Sequence, residues 1–324
     1  MMGKYASGLF ILWIFTLGYS SRVNGETLKI AAFNIQIFGR SKMAKTEVVQ
    51  VLVDTISKFD LVLIQEIRDS SGEAIVELLD RVNAVNIGQE FSMVLSRRLG
   101  RTNSKEQYAY LYRNVSGLSV TQEYVYDDGD GTAGTDIFER EPYIVAFESS
   151  KTKLSKIALI GIHVAPEEAV EEMKAFGDVF DDVRSKTNVD DIILLGDLNA
   201  DCSYVPNYKW AEIPIKSDSN YDWLIPDGYD TTVSNSDCAY DRFIITGDAV
   251  IGAYVNGSAQ VFRFDTEFGL NQSTALDVSD HYPIWFELEV KPSTNAGIRY
   301  NSNVLLLAIV HLLTFSVISG PQYM

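Results

Sequence analysis

The stretch Gly196-Asp197-Leu198-Asn199-Ala200-Asp201-Cys202 follows directly on the apolar, β-branched run Asp191-Ile192-Ile193-Leu194-Leu195. A buried strand therefore runs into a group of oxygen ligands. Asp197 and Asn199 are two apart, and on an extended backbone both side chains point to one side. A carboxylate beside a carboxamide suits a hard divalent cation or a phosphate-bound water. The same residue types also build turns, so the stretch becomes a site only if partners exist elsewhere. Two histidines can supply them: His163, after Ile160-Gly161-Ile162, and His281, within Ser279-Asp280-His281-Tyr282-Pro283. Imidazoles working as general acid and base each need an acidic neighbour to set the tautomer and stabilise the imidazolium. Glu66, Glu106, Asp241 and Asp280 are candidates, and spacing alone does not pair them.

Positioning such groups takes a rigid frame, and the chain supplies one. Leu28 to Phe33, Leu61 to Ile64, Tyr108 to Arg113, Ile144 to Phe147, Ile157 to Ile162, Ile192 to Leu195, Phe243 to Ile245 and Ile284 to Leu288 read as strands. Val48, Val49, Leu52, Val53 and Ile56 recur at helical spacing, and helices are expected over Glu73 to Asn83 and Glu167 to Arg184. Strands alternating with helices indicate an α/β domain. Strand after strand ends in a polar residue, namely Asn34, Glu66, His163 and Asp197, as in open sheets that hold ligands at their strand ends. Neither an internal repeat nor a low-complexity tract is visible by inspection.

The formal net charge of −17 excludes nucleic-acid binding through the overall field. A phosphate-bearing substrate must be held by bound cations or a local basic patch, such as Arg97-Arg98-Leu99-Gly100-Arg101 with Lys105. Lys4 precedes the apolar run Gly8 to Leu17, which reads as a secretory leader over residues 1–25, with Tyr19-Ser20-Ser21 as a competing cleavage region. Residues 26–290 form the expected catalytic domain. Residues 291–303 are a polar spacer, and 304–324 an apolar tail without a following basic flank. That pattern fits a glycosylphosphatidylinositol signal with attachment near Ser293 to Asn295, and secondly a transmembrane tail. The product is expected in the secretory pathway, anchored at the cell surface or an endomembrane by its C-terminus. An oxidising compartment favours joining the two cysteines, Cys202 and Cys238, which would stabilise the fold by roughly 4 kcal/mol. Sequons at Asn114, Asn256 and Asn271 agree with secretion.

Beyond single motifs, the chain resembles the deoxyribonuclease I family. The resemblance rests on Asn34-Ile35-Gln36, Gln65-Glu66-Ile67-Arg68-Asp69, Leu99-Gly100-Arg101, Lys105-Glu106-Gln107-Tyr108 and Ile162-His163-Val164-Ala165-Pro166. It continues through Gly196 to Val205, Trp223-Leu224-Ile225-Pro226-Asp227, Cys238-Ala239-Tyr240-Asp241-Arg242 and Ser279 to Pro283. It runs in order from Leu28 to Val290, and with the apolar tail it is nearest the family's membrane-associated branch. It implies a four-layer α/β sandwich, two packed mixed β-sheets flanked by helices, and a DNA-hydrolysing endonuclease leaving 5′-phosphate and 3′-hydroxyl ends. Glu106 would pair with His163 and Asp241 with His281. Asn34, Glu66, Asp197, Asn199 and Asp280 would hold a magnesium or manganese ion or position the scissile phosphate. Arg68 would approach the minor groove, with Arg140, Tyr204 and Tyr240 near phosphate. Structural calcium would sit on Asp128, Asp136, the Phe138 carbonyl and Glu141, and on Asp230, Thr232, Ser234 and Ser236.

Three departures accompany the resemblance. The family's second, small disulfide is missing from the 127–135 region. Ser104 replaces a tyrosine that stacks on a minor-groove sugar. Met93 stands where an actin-contacting tyrosine is usual, with Arg97-Arg98 in place of an acidic residue and a proline, which speaks against actin inhibition and for stronger phosphate contact. A monomer is expected. Two other functions fit parts of the pattern: a phospholipid or inositol phosphoesterase of the wider superfamily, and a non-catalytic surface-binding module.

Overall fold

The computed structural model describes residues 27–129 and 135–291. The leader, the spacer beyond Lys291 and the apolar tail expected from the sequence lie outside the described residues, and among the described ones no helix is long and apolar enough to cross a membrane. Twelve strands are described: β1 (Thr27–Phe38), β2 (Leu61–Ile67), β3 (Phe91–Leu95), β4 (Gln107–Arg113), β5 (Leu118–Val125), β6 (Tyr143–Ser149), β7 (Lys156–Gly161), β8 (Ile192–Asp197), β9 (Asp222–Trp223), β10 (Asp241–Thr246), β11 (Gln260–Val261) and β12 (Ile284–Glu289). They form two six-stranded sheets, ordered β11-β12-β1-β2-β4-β3 and β5-β6-β7-β8-β10-β9. Each sheet is mixed, with one parallel pair at its centre, β1/β2 in the first and β7/β8 in the second.

Alternation along the strands builds the layers. In β1, Leu28, Ile30 and Ala32 face the core between the sheets, while Ala31, Phe33 and Ile35 face outer helices. Both faces are covered, which is why the central strands read as continuous apolar runs. Between the sheets, Phe243 of β10 and Phe286 of β12 meet edge to face at 4.7 Å, a contact worth about 1 kcal/mol beyond its area. Helices Thr46–Ile56 and Glu73–Val85 bury Val48, Leu52, Ile56, Ile75, Leu78 and Val82 on the first sheet. Phe176–Thr187 buries Phe176, Val179, Phe180 and Val183 on the second. The expected four-layer sandwich is the observed one.

The two sheets repeat one plan in different chain order. In each, two antiparallel strands flank a strand that crosses through helices to its parallel neighbour, and two further strands complete the sheet. The second sheet runs through this plan in sequence as β5 to β10. The first begins at its third strand and takes β11 and β12 from the far end of the domain. The repeat is therefore one of topology, invisible to inspection of the sequence.

Several elements differ from expectation. The helix over Glu167 to Arg184 is broken at Ala175. The Ala175 amide donates to the Glu172 carbonyl at 3.1 Å, a tightened turn that lets Glu172 and Met173 point inward on one segment and Phe176 onward on the next. Strands β3 and β5 lie outside the expected set because neither shows a buried apolar run; β5 is largely exposed. Neither Asn34 nor Glu66 ends its strand: β1 continues to Phe38 and β2 to Ile67, with register irregularities after Asn34 and after Ile64.

Candidate active site

The carboxyl ends of β1 and β2 face those of β7 and β8 across the sandwich, and the functional side chains collect there. Glu106 immediately precedes β4 in the first sheet; His163 follows β7 in the second. Their side chains meet, His163 Nδ1 lying 2.8 Å from Glu106 Oε2. Asp241 opens β10 in the second sheet, and His281 precedes β12 in the first. His281 Nδ1 lies 2.8 Å from Asp241 Oδ2. Each pair thus spans the two sheets. With Nδ1 engaged, Nε2 of His163 is 3.5 Å and Nε2 of His281 is 3.4 Å from the same atom, Asp197 Oδ2. All five residues are buried. Two oriented imidazoles converging on one carboxylate can pass a proton on either side of a reacting centre.

Unusual backbone holds this centre. Gln65 ties the sheets together, its Nε2 donating to the Ile162 carbonyl at 2.7 Å and its Oε1 accepting the Asp197 amide at 3.1 Å. Gly196 makes room at φ +138°; a Cβ there would lie 2.1 Å from the Ile162 carbonyl oxygen and 2.8 Å from Gln65 Nε2. Glu66, Asn199 and Ile37 also have positive φ, at 57°, 47° and 50°, conformations that cost non-glycine residues about 1–3 kcal/mol and cluster at functional sites. Asn199 consequently departs from the extended arrangement expected of it. Its amide donates to Asp197 Oδ1 at 3.0 Å and its Nδ2 to the Val164 carbonyl at 3.0 Å, so it braces the β7 and β8 ends.

Charge is strongly shaped here. Burial pushes the Glu106 carboxyl up, but the His163 hydrogen bond and the His163, Arg140 and Arg68 charges outweigh it and bring it down to about 2. Burial would also raise Asp197, yet the two histidines and the Asn199 and Asn34 N–H groups hold it below the usual carboxylate range. Asp241 goes the other way: burial and the neighbouring Asp197 raise it despite His281. Burial disfavours the His281 cation, and Asp241, Asp197 and Asp280 overcome this, raising His281 well above its ordinary value.

The expected ion-binding residues are brought together only in part. Asn34 Nδ2 donates to Glu66 Oε1 at 3.2 Å and to Asp197 Oδ2 at 3.0 Å, bridging the two carboxylates. Asp280 Oδ2 accepts from Gln36 Nε2 at 2.7 Å, while its Oδ1 is buried without a hydrogen-bond partner. Asp197, Asp241 and His281 present ligand atoms within 4.8 Å of one another. These clustered oxygens, with Asp241 Oδ1 and Asp280 Oδ1 both buried without a hydrogen-bond partner, fit a hard divalent cation. The carboxylates of Asp128, Asp136 and Glu141 do not converge in this way. Asp128 accepts the Ile137 and Phe138 amides, Asp136 binds Arg101, and Glu141 binds Arg97. Arginine side chains thus supply positive charge at this loop.

Asp230, Thr232, Ser234 and Ser236 close on one another instead, Thr232 Oγ1 donating within 2.7 Å of Asp230 Oδ1 and of the Ser236 carbonyl. Their loop supports the second dyad, since Thr231 Oγ1 accepts the Tyr240 and Asp241 amides and Thr232 forms a bridge with His281.

Arg68 pairs with Glu106 at 2.8 Å and Glu66 at 3.1 Å, and Arg140 donates to the His163 carbonyl at 3.0 Å. Tyr204 and Tyr240 pack at 5.4 Å beside the site, Tyr240 lying 6.2 Å from the His281 ring. The basic run is tied down: besides the pairs already given, Arg98 donates to the Arg68 and Lys105 carbonyls and Lys105 to that of Gly100. Cys202 and Cys238 are joined, closing a 36-residue separation. Asn114, Asn256 and Asn271 are all exposed. Sequence reasoning missed Gln65, Tyr108, whose hydroxyl accepts the His163 amide at 2.8 Å, and Ser279, which donates to the Asn34 carbonyl and accepts the His281 amide. The signal available for Gln65 was a second polar residue beside Glu66 in an otherwise apolar strand.

Comparison with known proteins places this geometry. Residues 31–281 match the Endonuclease/Exonuclease/phosphatase family. Deoxyribonuclease-1 of Bos taurus is 43% identical over 80% of this chain and 92% of its own, and that of Oryctolagus cuniculus 42% identical over 84% and 95%. The crystal structure of humanized D. rerio TDP2 shares the fold, with a TM-score of 0.56 at 13% identity, covering 81% of this chain and 99% of that one. On matches of this length and identity, the chain belongs to the endonuclease/exonuclease/phosphatase family and, within it, to the deoxyribonuclease I family.

Proposed function

We propose that the protein is an endonuclease that hydrolyses DNA phosphodiester bonds with a divalent cation and two histidines. One observation carries the reading: two imidazoles, each held at Nδ1 by a buried carboxylate from the opposite sheet, aim Nε2 at a common point beside Asp197. One imidazole takes the proton of the attacking water as its oxygen bonds to phosphorus. The other protonates the O3′ as the P–O3′ bond breaks, leaving 5′-phosphate and 3′-hydroxyl ends. Glu66 and Asp197 would hold the ion, with Asn34 between them and Asp280 nearby. When bound, magnesium or manganese would offset charge building on the phosphoryl oxygens. Arg140, Arg68 and the Tyr204–Tyr240 pair are the groups on hand for phosphate and groove contact.

The test is plasmid nicking with magnesium or manganese, with and without a chelator, for the wild type and for His163→Ala and His281→Ala. Loss of about 10²–10⁴-fold in each folded variant is expected. Unchanged nicking in both would refute the assignment, and turnover of phospholipid head groups without DNA cleavage would favour the phosphoesterase reading. Calcium on the two loops is tested by calorimetry, since an ion there must displace the Arg97 and Arg101 pairs or the internal bonds of the 230–236 loop. Secretion and attachment to a membrane through the C-terminal tail, with a lipid anchor or a transmembrane segment, complete the proposal. Release from cells by a phosphatidylinositol-specific phospholipase would distinguish the two anchors.

A further inference from the structure

Glu172, on the short helix Ala169–Lys174, is fully buried, and no step of the proposed reaction uses it. Its Oε1 accepts the Glu139 amide at 3.1 Å and the Ala165 amide at 3.3 Å, while Oε2 is buried without a partner. A half-satisfied buried carboxyl is destabilising where an apolar side chain of its size would fit, so its place calls for another reason. The reason lies in the two amides. Glu139 directly precedes Arg140, and Ala165 lies two residues after His163. These segments extend β6 and β7, whose pairing ends at Tyr143 with Gly161. Beyond that point the ladder no longer sets their separation, yet Arg140 Nε must reach the His163 carbonyl at 3.0 Å and lie 3.6 Å from Glu106 Oε2.

We propose that Glu172 is a positioning residue whose shared oxygen continues the β6–β7 pairing past its last ladder bond and so fixes Arg140 against His163 and Glu106. It touches neither the reacting atoms nor the ion-binding groups. The inference rests on reading Arg140 and His163 as parts of the phosphodiesterase site.

The test uses the full chain as wild type and as Glu172→Ala, Glu172→Leu and Glu172→Gln. Leucine fills the space should the alanine variant fail to fold, and glutamine keeps the acceptor. Amide hydrogen exchange at Glu139 and Ala165 should quicken about tenfold or more in the alanine or leucine variant and stay near wild type with glutamine. Nicking kcat should fall about 10–100-fold in the same variants with KM little changed, and recover with glutamine. In an Arg140→Ala background, Glu172→Leu should add little further loss, a coupling that a merely structural role would not produce. Unchanged exchange at either amide, unchanged kcat, or additive losses with Arg140→Ala would overturn the proposal. A wild-type chain that does not nick DNA would refute the proposed function instead, and the exchange measurement would still decide whether Glu172 holds the two segments together.

Discussion

Glu172 also makes a sharp prediction about stability. Burial pushes its carboxyl from 4.5 up to about 7, against the opposing pull of the Glu139 and Ala165 amides and of Arg140 and His163. Between those values the folded protein keeps a proton that the unfolded chain has already released. Raising the pH through this window therefore favours unfolding, the reverse of the usual carboxylate case. The gap is worth about 3 kcal/mol once the buried group is fully ionised, of which about 2.5 kcal/mol is lost between about pH 5 and pH 8. Glu172→Gln cannot titrate, so its stability relative to wild type should climb by that amount over the same range, or by about 5–10 °C in Tm for a domain of this size. Urea unfolding followed by tryptophan fluorescence, run on both proteins at about pH 5, 6.5 and 8, measures it. A wild-type-to-variant difference that stays constant within about 0.5 kcal/mol across the range would refute the reasoning.

Gly196→Ala, which sets a Cβ 2.1 Å from the Ile162 carbonyl oxygen at φ +138°, should cost at least about 3 kcal/mol, as read by thermal melting; a variant as stable as wild type would mean the sheet ends are not held as described. Replacing Cys202 and Cys238 together by serine should cost about 4 kcal/mol of unfolding free energy for a loop of this length, with reduction of the wild type giving the same shift. Without added divalent cation, the His281 ring should titrate well above 6.5, and Asp241→Asn should bring its midpoint down, as followed by histidine NMR. Magnesium should lower the wild-type midpoint if the ion sits beside Asp197, and an unmoved midpoint would place it elsewhere.

The central strands were legible because both their faces are buried: runs such as Leu61 to Ile64 and Ile192 to Leu195 contain little but apolar residues, and covered sheets demand that. Edge strands were not. β5 carries Ser119, Thr121, Gln122 and Glu123 on a surface that solvent tolerates, so no burial pattern marks it. Polar residues within or just after apolar strands announced the site, since Asn34, Glu66, His163 and Asp197 interrupt otherwise apolar buried runs. Asn199 lies beside Asp197 but not on the extended backbone that the spacing implies. Spacing of two signals one face only on an extended chain, whereas Asn199 has positive φ, its amide turned back on Asp197 two residues before and its side chain held by the Val164 carbonyl 35 residues away.

The pairing of acids with histidines was beyond spacing for a deeper reason. Glu106 and His163 are 57 residues apart and Asp241 and His281 are 40 apart, and in each pair the two residues sit in different sheets. The sheets share one plan, so the two pairs hold related places: Glu106 and Asp241 stand at the starts of β4 and β10, each beside the second strand of its sheet's parallel pair. Each carboxylate then reaches across to orient the other sheet's histidine. Such a site exists only while the sheets keep their separation and register, because a shift of about 1 Å breaks both Nδ1 contacts at once. The dense core between the sheets, the Gln65 bridge and the glycine at position 196 are therefore parts of the catalytic apparatus as much as of the fold. Gln65→Leu should test this directly. It leaves the Ile162 carbonyl and the Asp197 amide without their partner at a cost of about 1–3 kcal/mol, and nicking should fall further than that loss of stability alone would reduce the folded fraction. Activity that tracks the folded fraction would show that the bridge holds the sheets together without aligning the histidines.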